Sequence, residues 1–360
     1  MTSATDAGGQ AAGGPLVADL VLEGGGVKGL ALVGAVSVLA GAGYTFPRVA
    51  GTSAGAVVGS VVAALQHAGE PLSRLEDVAR SLDYRKLRDR GLLGRIAGPL
   101  APVVDGLSLA FESGIFEGEY LHDWLSGTLG DLGVRTFGDL RRQDPGDDPA
   151  APLDPEHSYG LVVTASDLSR RRLVRLPWDY PLYGLDPDEQ PVADAVRASS
   201  SIPFYYEPIT LRSPDRSVST LVDGGVLSNF PIALFDRTDG RVPRWPTFGV
   251  RLSSKPGRTQ SQAVAGPVSL ALAVVETLIE ACDAQHIDDP CVQARSVFVD
   301  TSGTSAVDFT IPEEQKAELV AAGAAAARHF LAGWDWPRYL ATCRAGEDAA
   351  GTPAEGEGDR

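Results

Sequence analysis

The chain has 360 residues, of which 44% are hydrophobic, and a formal net charge of −16. This length and apolar content allow a large buried core, whereas the acidic balance argues against nucleic acid partners and against strong constitutive binding to anionic membranes. The apolar runs are too short to span a bilayer, and the first residues lack the basic start and apolar stretch of a signal peptide. We therefore predict a cytoplasmic protein with one domain at residues 15–343, between flexible tails at 1–14 and 344–360.

A β-α-β-α unit is predicted at the start of the domain. Residues 17–22 are typical of a buried strand, residues 30–39 of an apolar helix, residues 47–50 of a short second strand and residues 56–65 of a second helix. A right-handed crossover between parallel strands places the loops after both strands at the carboxyl edge of the sheet. We expect the functional residues in these two loops.

The loop after the first strand contains three consecutive glycines. Such a loop can turn its backbone N–H groups toward a reacting oxygen, and an oxyanion-hole donor typically stabilises a transition state by roughly 3 to 4 kcal/mol. The oxyanion-hole candidates are Gly24, Gly25 and Gly26. Lys28 and Gly29, which follow the glycines in the sequence, also belong to this motif.

The same loop satisfies the G-x-G-x-x-G pattern of dinucleotide sites. That interpretation fails because the second strand does not end in the acidic residue that holds the ribose hydroxyls. A phosphate-binding P-loop fails as well, since Lys28 is followed by Gly29 rather than by Ser or Thr. We therefore predict no nucleotide cofactor.

The loop after the second strand has the pattern G-x-S-x-G at residues 51–55, which indicates a nucleophile elbow. A serine on a tight turn between strand and helix has an exposed hydroxyl, and the helix N-terminus favours developing negative charge. Ser53 is the predicted nucleophile. The alternative is an ordinary loop in which Ser53 or Thr52 caps the helix. The residues that support the elbow are Gly51, Thr52, Ala54 and Gly55.

Asp223 is the best candidate for the base that activates this serine. It ends the apolar run 218–222 and begins a D-G-G sequence, in which Gly224 and Gly225 support the motif. A hairpin turn is the alternative, because Asp-Gly is a strong turn signal. No histidine lies in a setting that indicates a catalytic base. The five histidines are His67, His122, His157, His286 and His329.

These three blocks resemble, in order and spacing, the signature blocks of patatin-like phospholipases. The small residues before a proline at 198–204 and the glycine-containing start of a helix at 114–118 are also similar to that family. The resemblance covers residues 16–334. The first block begins with Glu23, where the family more often has aspartate, and we expect this difference to have little effect.

The resemblance implies a three-layer α/β/α patatin-like fold with a central, mostly parallel sheet, related to the catalytic domain of cytosolic phospholipase A2. It implies a Ser-Asp dyad without histidine, Ser53 as nucleophile and Asp223 as base, that hydrolyses phospholipids or other acyl esters through an acyl-serine intermediate. A non-catalytic lipid-binding or regulatory relative, an acyltransferase and a protease remain alternatives.

A segment at residues 85–116 begins with clustered arginines and lysine and continues with apolar residues. We interpret it either as a lid that makes peripheral membrane contact or as a solvated helix face followed by core. The three arginines at 170–172 are interpreted as a solvated hairpin or as a contact for a phosphate headgroup. The sequence does not determine the oligomeric state.

The cysteines predict neither a disulfide framework nor a zinc site. There are three of them, an odd number, and their spacing is not that of metal ligands. The acidic residues also do not form a calcium loop of the EF-hand type. We therefore predict catalysis without a bound metal. The cysteines are Cys282, Cys291 and Cys343.

Overall fold

The computed structural model describes residues 16–87, 116, 118–142, 155–252, 270, 273–274, 277 and 289–345. Most of the predicted lid segment, Cys282, His286 and nearly all of both predicted tails lie outside these residues.

Short strands and helices alternate through most of the described chain. The strands are β1 (Leu16–Val17), β2 (Asp19–Leu22), β3 (Tyr44–Thr45), β4 (Val49–Thr52), β5 (Leu161–Asp167), β6 (Arg172–Leu176), β7 (Ile209–Arg212), β8 (Val218–Asp223), β9 (Thr247–Arg251) and β10 (Ser296–Phe298). The α-helices are α1 (Leu30–Gly41), α2 (Ala54–His67), α3 (Leu75–Ser81), α4 (Glu119–Asp131), α5 (Val192–Ser199), α6 (Pro290–Ala294), α7 (Glu313–Gly333) and α8 (Trp336–Cys343).

The main sheet is mostly parallel. Its strand order is β10-β9-β2-β4-β5-β8-β7, and β6 pairs with β5 beside this path. The pairs from β10 to β5 are parallel, whereas β6, β7 and β8 form the antiparallel part. The predicted β-α-β-α unit is confirmed as β2-α1-β4-α2, so the two predicted functional loops follow neighbouring strands.

Alternate strand residues face the two sides of the sheet. Val21, Ala50 and Val162 pack on one face with the segment around Phe230 and with Val292 of α6. Their strand neighbours pack on the other face with α1, α2 and α7 in the larger core cluster. The apolar runs in the central strands follow from this arrangement, since a strand covered on both faces needs apolar residues at every position. The fold is a three-layer α/β/α architecture.

Helices α1 and α7 cross at two glycines. A Cβ atom at Gly34 would lie 2.0 Å from the carbonyl oxygen of Val320, and one at Gly323 would lie 1.8 Å from that of Ala31. Only glycine allows this close approach. The crossing packs α7 closely against α1, the helix that follows the glycine loop. This packing fixes the position of α1 and thereby supports the loop.

Among the residues that the structure describes, no helix combines the length and the apolar character needed to cross a bilayer.

Cys291 and Cys343 form a disulfide that joins α6 to α8. The expectation of no disulfide is therefore wrong. The two cysteines are 52 residues apart, and only the packing of α8 beside α6 brings them together. Because disulfides persist mainly in oxidising compartments, the bond bears on the predicted cytoplasmic location, which stays a prediction.

Reduction of this disulfide should destabilise the fold by about 2 to 4 kcal/mol, because a cross-link over a loop of this length removes chain entropy from the unfolded state. Denaturant unfolding of the protein with and without reductant measures the difference. A Cys291→Ser, Cys343→Ser double variant should match the reduced protein and should not respond to reductant. Equal stability of oxidised and reduced wild-type protein would contradict this expectation.

Candidate active site

Ser53 lies at the junction of β4 and α2 in a backbone conformation that is rare for serine. Its φ is 52° and its ψ is −119°, and only 6% of the residue is exposed. Such strained geometry is held only where the surroundings enforce it, and it is common at active sites. Here the Ser53 N–H donates to Oγ of Ser199 at 2.8 Å, so a residue of α5 helps to hold the turn.

The glycines beside Ser53 have no room for side chains. A Cβ atom at Gly51 would lie 2.2 Å from the carbonyl oxygen of Gly55, and one at Gly55 would lie 2.2 Å from that of Leu22. The spacing of small residues in the motif therefore reflects the tightness of the turn. The chain turns tightly between β4 and α2, and α2 begins directly at Ala54.

Asp223 ends β8 and is 2% exposed. Its carboxylate accepts a hydrogen bond from the backbone N–H of Gly225 at 2.8 Å, and the hydroxyl of Ser53 lies near enough to act on its pKa. Gly224 must be glycine, because a Cβ atom there would lie 2.5 Å from the carbonyl oxygen of Thr164. The chain continues as a 3-10 turn, Gly224–Val226, so the alternative interpretation of a β-hairpin is wrong.

The register of β5 brings Ser53 and Asp223 together. Residue Thr52 of β4 pairs with Thr164, and Asp223 of β8 pairs with the next residue, Ala165. Because β6 occupies the other edge of β5 at these positions, β4 and β8 lie along the same edge and meet at their carboxyl ends. The hydroxyls of Thr52 and Thr164 lie 2.6 Å apart and form a side-chain hydrogen bond between β4 and β5 at this point.

Burial raises the pKa of Asp223 to about 6, while the nearby hydroxyl of Ser53 and the hydrogen bond from the Gly225 N–H oppose the rise. A carboxylate with this pKa is a stronger base than an exposed aspartate and is still ionised at neutral pH.

The raised pKa of Asp223 has a stability consequence. The folded pKa exceeds the ordinary value of 3.8, so the protonated form stabilises the fold at low pH and this contribution is lost as the pH rises through 6. Relative to an Asp223→Asn variant, the wild-type protein should lose up to about 3 kcal/mol of stability between about pH 3.5 and 7. Urea unfolding of both proteins at several pH values tests this. A stability difference that does not vary with pH would contradict the raised pKa.

The glycine loop lies beside the elbow, but its three glycines are not equivalent. The N–H of Gly24 donates to the carbonyl oxygen of Asn229 at 3.2 Å, so the structure removes Gly24 from the predicted set of oxyanion donors. Among the described residues, the N–H groups of Gly25 and Gly26 have no acceptor. Both are therefore available to an oxyanion.

Gly26 is held more tightly than Gly25. It has a φ of +55°, and a Cβ atom there would lie 2.0 Å from the carbonyl oxygen of Ala306. A Cβ atom on Gly25 would instead meet only the end of the Leu252 side chain, at 2.6 Å, and its φ of 175° suits any residue. Substitution of Gly26 therefore disturbs the fold, whereas substitution of Gly25 perturbs mainly the loop.

The remaining motif residues shape the loop. Lys28 and Gly29 lie in the 3-10 turn Gly26–Gly29, where Gly29 leaves room for the Cβ atom of Ala54. Within the described chain, the Lys28 side chain makes no polar contact with Ser53 or Asp223. Glu23 is buried and pairs with Arg251 at 3.2 Å, so it anchors the loop to β9.

A narrow pocket of about 60 Å³ adjoins Ser53. Gly26 and Ala54 also line it, and the rest of its described wall is mainly apolar and aromatic. This composition suits a hydrocarbon chain better than a polar substrate. Among its apolar lining residues are Val57, Val58, Leu82, Leu121, Ile202 and Phe309.

The residues that hold these loops in place are not apparent from the sequence. Oγ of Ser199 accepts from the N–H of Ser53, and the carbonyl oxygen of Ser201 accepts from the N–H of Asp223, at 2.9 Å. The carbonyl oxygen of Ala306 accepts from the N–H of Val27 at 3.0 Å. Only the run of three serines was a local signal.

Two described histidines, His122 and His157, have their partners away from Ser53 and Asp223. His122 pairs with Asp194 at 2.7 Å, but both residues line a different cavity, which does not include Ser53. His157 packs against the ring of Trp178. Neither residue supports a Ser-His-Asp triad at Ser53.

The family model for Patatin-like phospholipase matches residues 20–236. A protein of Bacillus subtilis (strain 168), "Uncharacterized protein YqhO", is 35% identical over 318 residues, which cover 88% of this chain and 99% of that protein.

Two solved structures are similar at lower identity. VipD from Legionella pneumophila is 18% identical with a TM-score of 0.47, and the match covers 88% of this chain and 67% of VipD. ExoU, solved in a heterodimeric complex with SpcU from the type III secretion system of Pseudomonas aeruginosa, is 18% identical with a TM-score of 0.43. That match covers 88% of this chain and 52% of the other, so this chain spans about half the length of ExoU.

Proposed function

The chain belongs to the patatin-like phospholipase family, and from that premise we propose that it is a serine acyl hydrolase that cleaves fatty-acyl esters of phospholipids or related lipids. The observation that carries this proposal is the position of Ser53, on its strained turn, beside the buried carboxylate of Asp223, whose pKa its hydroxyl lowers. A nucleophile beside a base of suitable pKa, at a helix N-terminus and next to free N–H donors, is the arrangement that acyl transfer needs.

Asp223 takes the proton of Ser53 as Oγ attacks the acyl carbonyl carbon. The carbonyl oxygen becomes an oxyanion, which the N–H groups of Gly25 and Gly26 and the N-terminus of α2 stabilise. When the tetrahedral intermediate collapses, the bond to the leaving alcohol breaks and Asp223 returns the proton to that oxygen. Water then attacks the acyl-serine, with Asp223 again as base, and releases the fatty acid and free Ser53.

The apolar pocket supports an acyl chain as the group next to the reacting carbonyl. Its narrow described volume of about 60 Å³ favours a short or partly extended chain at this point. We propose that a long-chain substrate is drawn from a lipid surface by peripheral contact. The predicted contact segment, residues 85–116, lies largely outside the described residues.

Labelling with a fluorophosphonate tests the nucleophile without a choice of substrate. Wild-type protein should react and Ser53→Ala should not. Ser60→Ala is a matched control, because Oγ of Ser60 donates to a carbonyl within α2 and should not affect labelling. Ser200 is the rival, since its buried hydroxyl has no described partner and lines the same pocket. Labelling lost in Ser200→Ala but kept in Ser53→Ala would refute the assignment.

The same dyad can serve transfer to an acceptor other than water. An acyltransferase would resolve the acyl-serine with an alcohol or amine, whereas a non-catalytic relative would not form it. A hydrolase should release one free fatty acid for each ester bond cleaved. This yield distinguishes it from an acyltransferase and from a non-catalytic relative.

The pKa of Asp223 predicts the pH dependence of hydrolysis. Because the base must be ionised, kcat/KM should fall about tenfold between pH 7 and pH 5 and should be nearly level above pH 7. A pH profile with a water-soluble ester measures this, with circular dichroism at each pH to show that the fold is retained. A level profile from pH 5 to pH 7 would exclude Asp223 as a base with this pKa.

A further inference from the structure

Two turns lie side by side at one end of the sheet, the turn between β5 and β6 and the turn between β7 and β8. Because β5 and β8 are antiparallel, the carboxyl end of β5 lies beside the amino end of β8. The N–H of Leu168 donates to the carbonyl oxygen of Thr220 at 2.9 Å, and the N–H of Thr220 donates to Oγ of Ser169 at 3.0 Å, so the two turns are held together. We call residues 168–172 and 212–218 the arginine tip.

The arginine tip is strongly cationic, although the protein has a net charge of −16. It contains five arginines and a single acidic residue, Asp215, and all six are exposed. A local positive charge on an acidic chain favours one docking orientation, because the acidic excess elsewhere repels an anionic partner. The arginines are Arg170, Arg171, Arg172, Arg212 and Arg216.

Three of these arginines are not neutralised by neighbouring carboxylates. Within the described part of the chain, the side chains of Arg171, Arg212 and Arg216 make no ion pair or hydrogen bond. Asp215 instead accepts a hydrogen bond from the N–H of Ser217 at 2.9 Å. The three guanidinium groups are therefore available to an anionic partner.

The two remaining arginines of the tip are only partly engaged. Nε of Arg170 lies 3.8 Å from the carboxylate of Asp167. Nη2 of Arg172 lies 3.9 Å from the carboxylate of Asp179, which pairs more closely with Arg175, at 3.1 Å. Both distances are long for a charge-assisted hydrogen bond, so these two guanidinium groups keep donors for a partner.

Two exposed apolar side chains lie among these arginines. Leu168 is 49% exposed and Val218 is 48% exposed. Val218 pairs directly with Arg212, and Leu168 lies beside Thr220, two residues along β8 from Val218. Because paired residues and alternate residues of a strand share a face, Leu168, Val218 and Arg212 lie on one face. Single exposed apolar residues are ordinary, but two large ones grouped with arginines suit a lipid surface, which is anionic and apolar at once.

Strand β8 connects the arginine tip to the candidate active site. It begins at Val218 in the tip and ends at Asp223 in the dyad, so roughly 16 Å of extended chain separates the two. The tip lies at the carboxyl end of β5, and β5 is parallel to β4, whose carboxyl end leads into Ser53. The arginine tip and Ser53 are therefore at the same edge of the sheet.

We propose that the arginine tip docks the protein on a surface of anionic phospholipids, with its guanidinium groups on the headgroup phosphates and with Leu168 and Val218 inserted among the headgroups. Arginine suits phosphate through its planar set of donors, and an anionic surface attracts cations within about a Debye length. A nucleic acid also attracts arginine, but it offers exposed aliphatic side chains little apolar surface. This docking does not depend on the proposed hydrolase activity. Together with that activity, it brings the lipid surface to the edge of the sheet that carries the dyad.

Cosedimentation of the full chain with vesicles tests the proposal. The Ser53→Ala variant is used as the parent, so that hydrolysis cannot change the vesicles during the measurement. It should bind vesicles of phosphatidylserine and phosphatidylcholine in equal parts, and its affinity should fall as salt is added. Vesicles of phosphatidylcholine alone should bind it at least about tenfold more weakly.

Substitution of the three arginines without described partners tests the location. In the parent, Arg171→Gln, Arg212→Gln and Arg216→Gln together should weaken binding to the anionic vesicles about 100-fold, because each cation near anionic lipid contributes roughly fivefold. A triple control makes the same change of net charge at exposed arginines outside the tip and should bind nearly as the parent. Circular dichroism shows that both keep the fold. The control substitutions are Arg74→Gln, Arg80→Gln and Arg328→Gln.

The apolar contribution has its own variant. Leu168→Ser with Val218→Ser should weaken binding about tenfold, with the salt dependence nearly retained, because both arginine pairing and net charge are unchanged. Affinity equal to that of the parent would refute insertion of these side chains.

Three other results would overturn the proposal. Equal binding by the tip triple variant and the triple control would refute the tip as the docking surface. Absence of binding to anionic vesicles at low salt would do the same. Tighter binding to a DNA duplex than to vesicles, lost in the tip variant, would assign the tip to nucleic acid. All of these are binding measurements with Ser53 replaced, so their outcome is independent of whether the dyad hydrolyses esters.

Discussion

Ser53→Ala and Asp223→Asn should each reduce ester hydrolysis by about 10⁴-fold or more while the fold is retained. The two residues act as a unit, so loss of either half should cost about as much as loss of both. Steady-state kinetics with a soluble short-chain ester measure the effect, and circular dichroism confirms the fold. The double variant is informative, because a dyad predicts little further loss beyond the single variants.

His122→Gln is the control for this experiment. His122 and Asp194 form the kind of pair that a conventional triad would use, yet they line another cavity. The variant should therefore keep its rate within about tenfold of wild type. A collapse of activity in His122→Gln, or substantial activity in either dyad variant with an intact fold, would replace the Ser-Asp mechanism.

Gly25→Ala should lower kcat by about 100-fold with little loss of stability. The added Cβ atom meets the flexible end of Leu252 and displaces the loop, so the N–H donors move away from the oxyanion. The effect should be mainly on kcat rather than KM, because the charge to be stabilised develops only in the transition state. Kinetics and thermal unfolding of the same preparation measure both quantities.

Gly26→Ala should behave differently from Gly25→Ala, although the sequence does not distinguish the two glycines. From sequence, Gly25 and Gly26 are equivalent oxyanion-hole candidates. In the structure, a methyl group on Gly26 meets the backbone of Ala306, and its positive φ is unfavourable for alanine. Gly26→Ala should therefore lose stability as well as activity. Unimpaired hydrolysis in Gly25→Ala would exclude this loop as the oxyanion hole.

The local conformations of the candidate site could be predicted because they depend on small residues at fixed spacing. The turn at Ser53 requires glycine at positions 51 and 55, where backbone atoms approach to 2.2 Å of any added Cβ. The apolar runs before and after this turn predicted β4 and α2 correctly, since a strand and helix buried in a layered fold leave a continuous apolar signal.

The roles of single glycines could not be predicted in the same way. Gly24 is part of the same triplet as its neighbours, but its N–H is occupied by the carbonyl oxygen of Asn229. Nothing in the sequence around Gly24 indicates this contact, because Asn229 reaches it from the segment after β8. The disulfide between Cys291 and Cys343 was missed for the same reason.

By itself, then, the sequence determined the elbow, the glycine loop and the strands that carry them, because these features depend on contacts between near neighbours in the chain. Only the tertiary structure brings Asp223 beside Ser53, the neighbour that the family resemblance implied. That pairing depends on β4 and β8 meeting along one edge of β5, where Thr52 and Asp223 pair with the consecutive residues Thr164 and Ala165. Burial at this junction removes water from the carboxylate and raises its pKa, an effect that requires the packed fold.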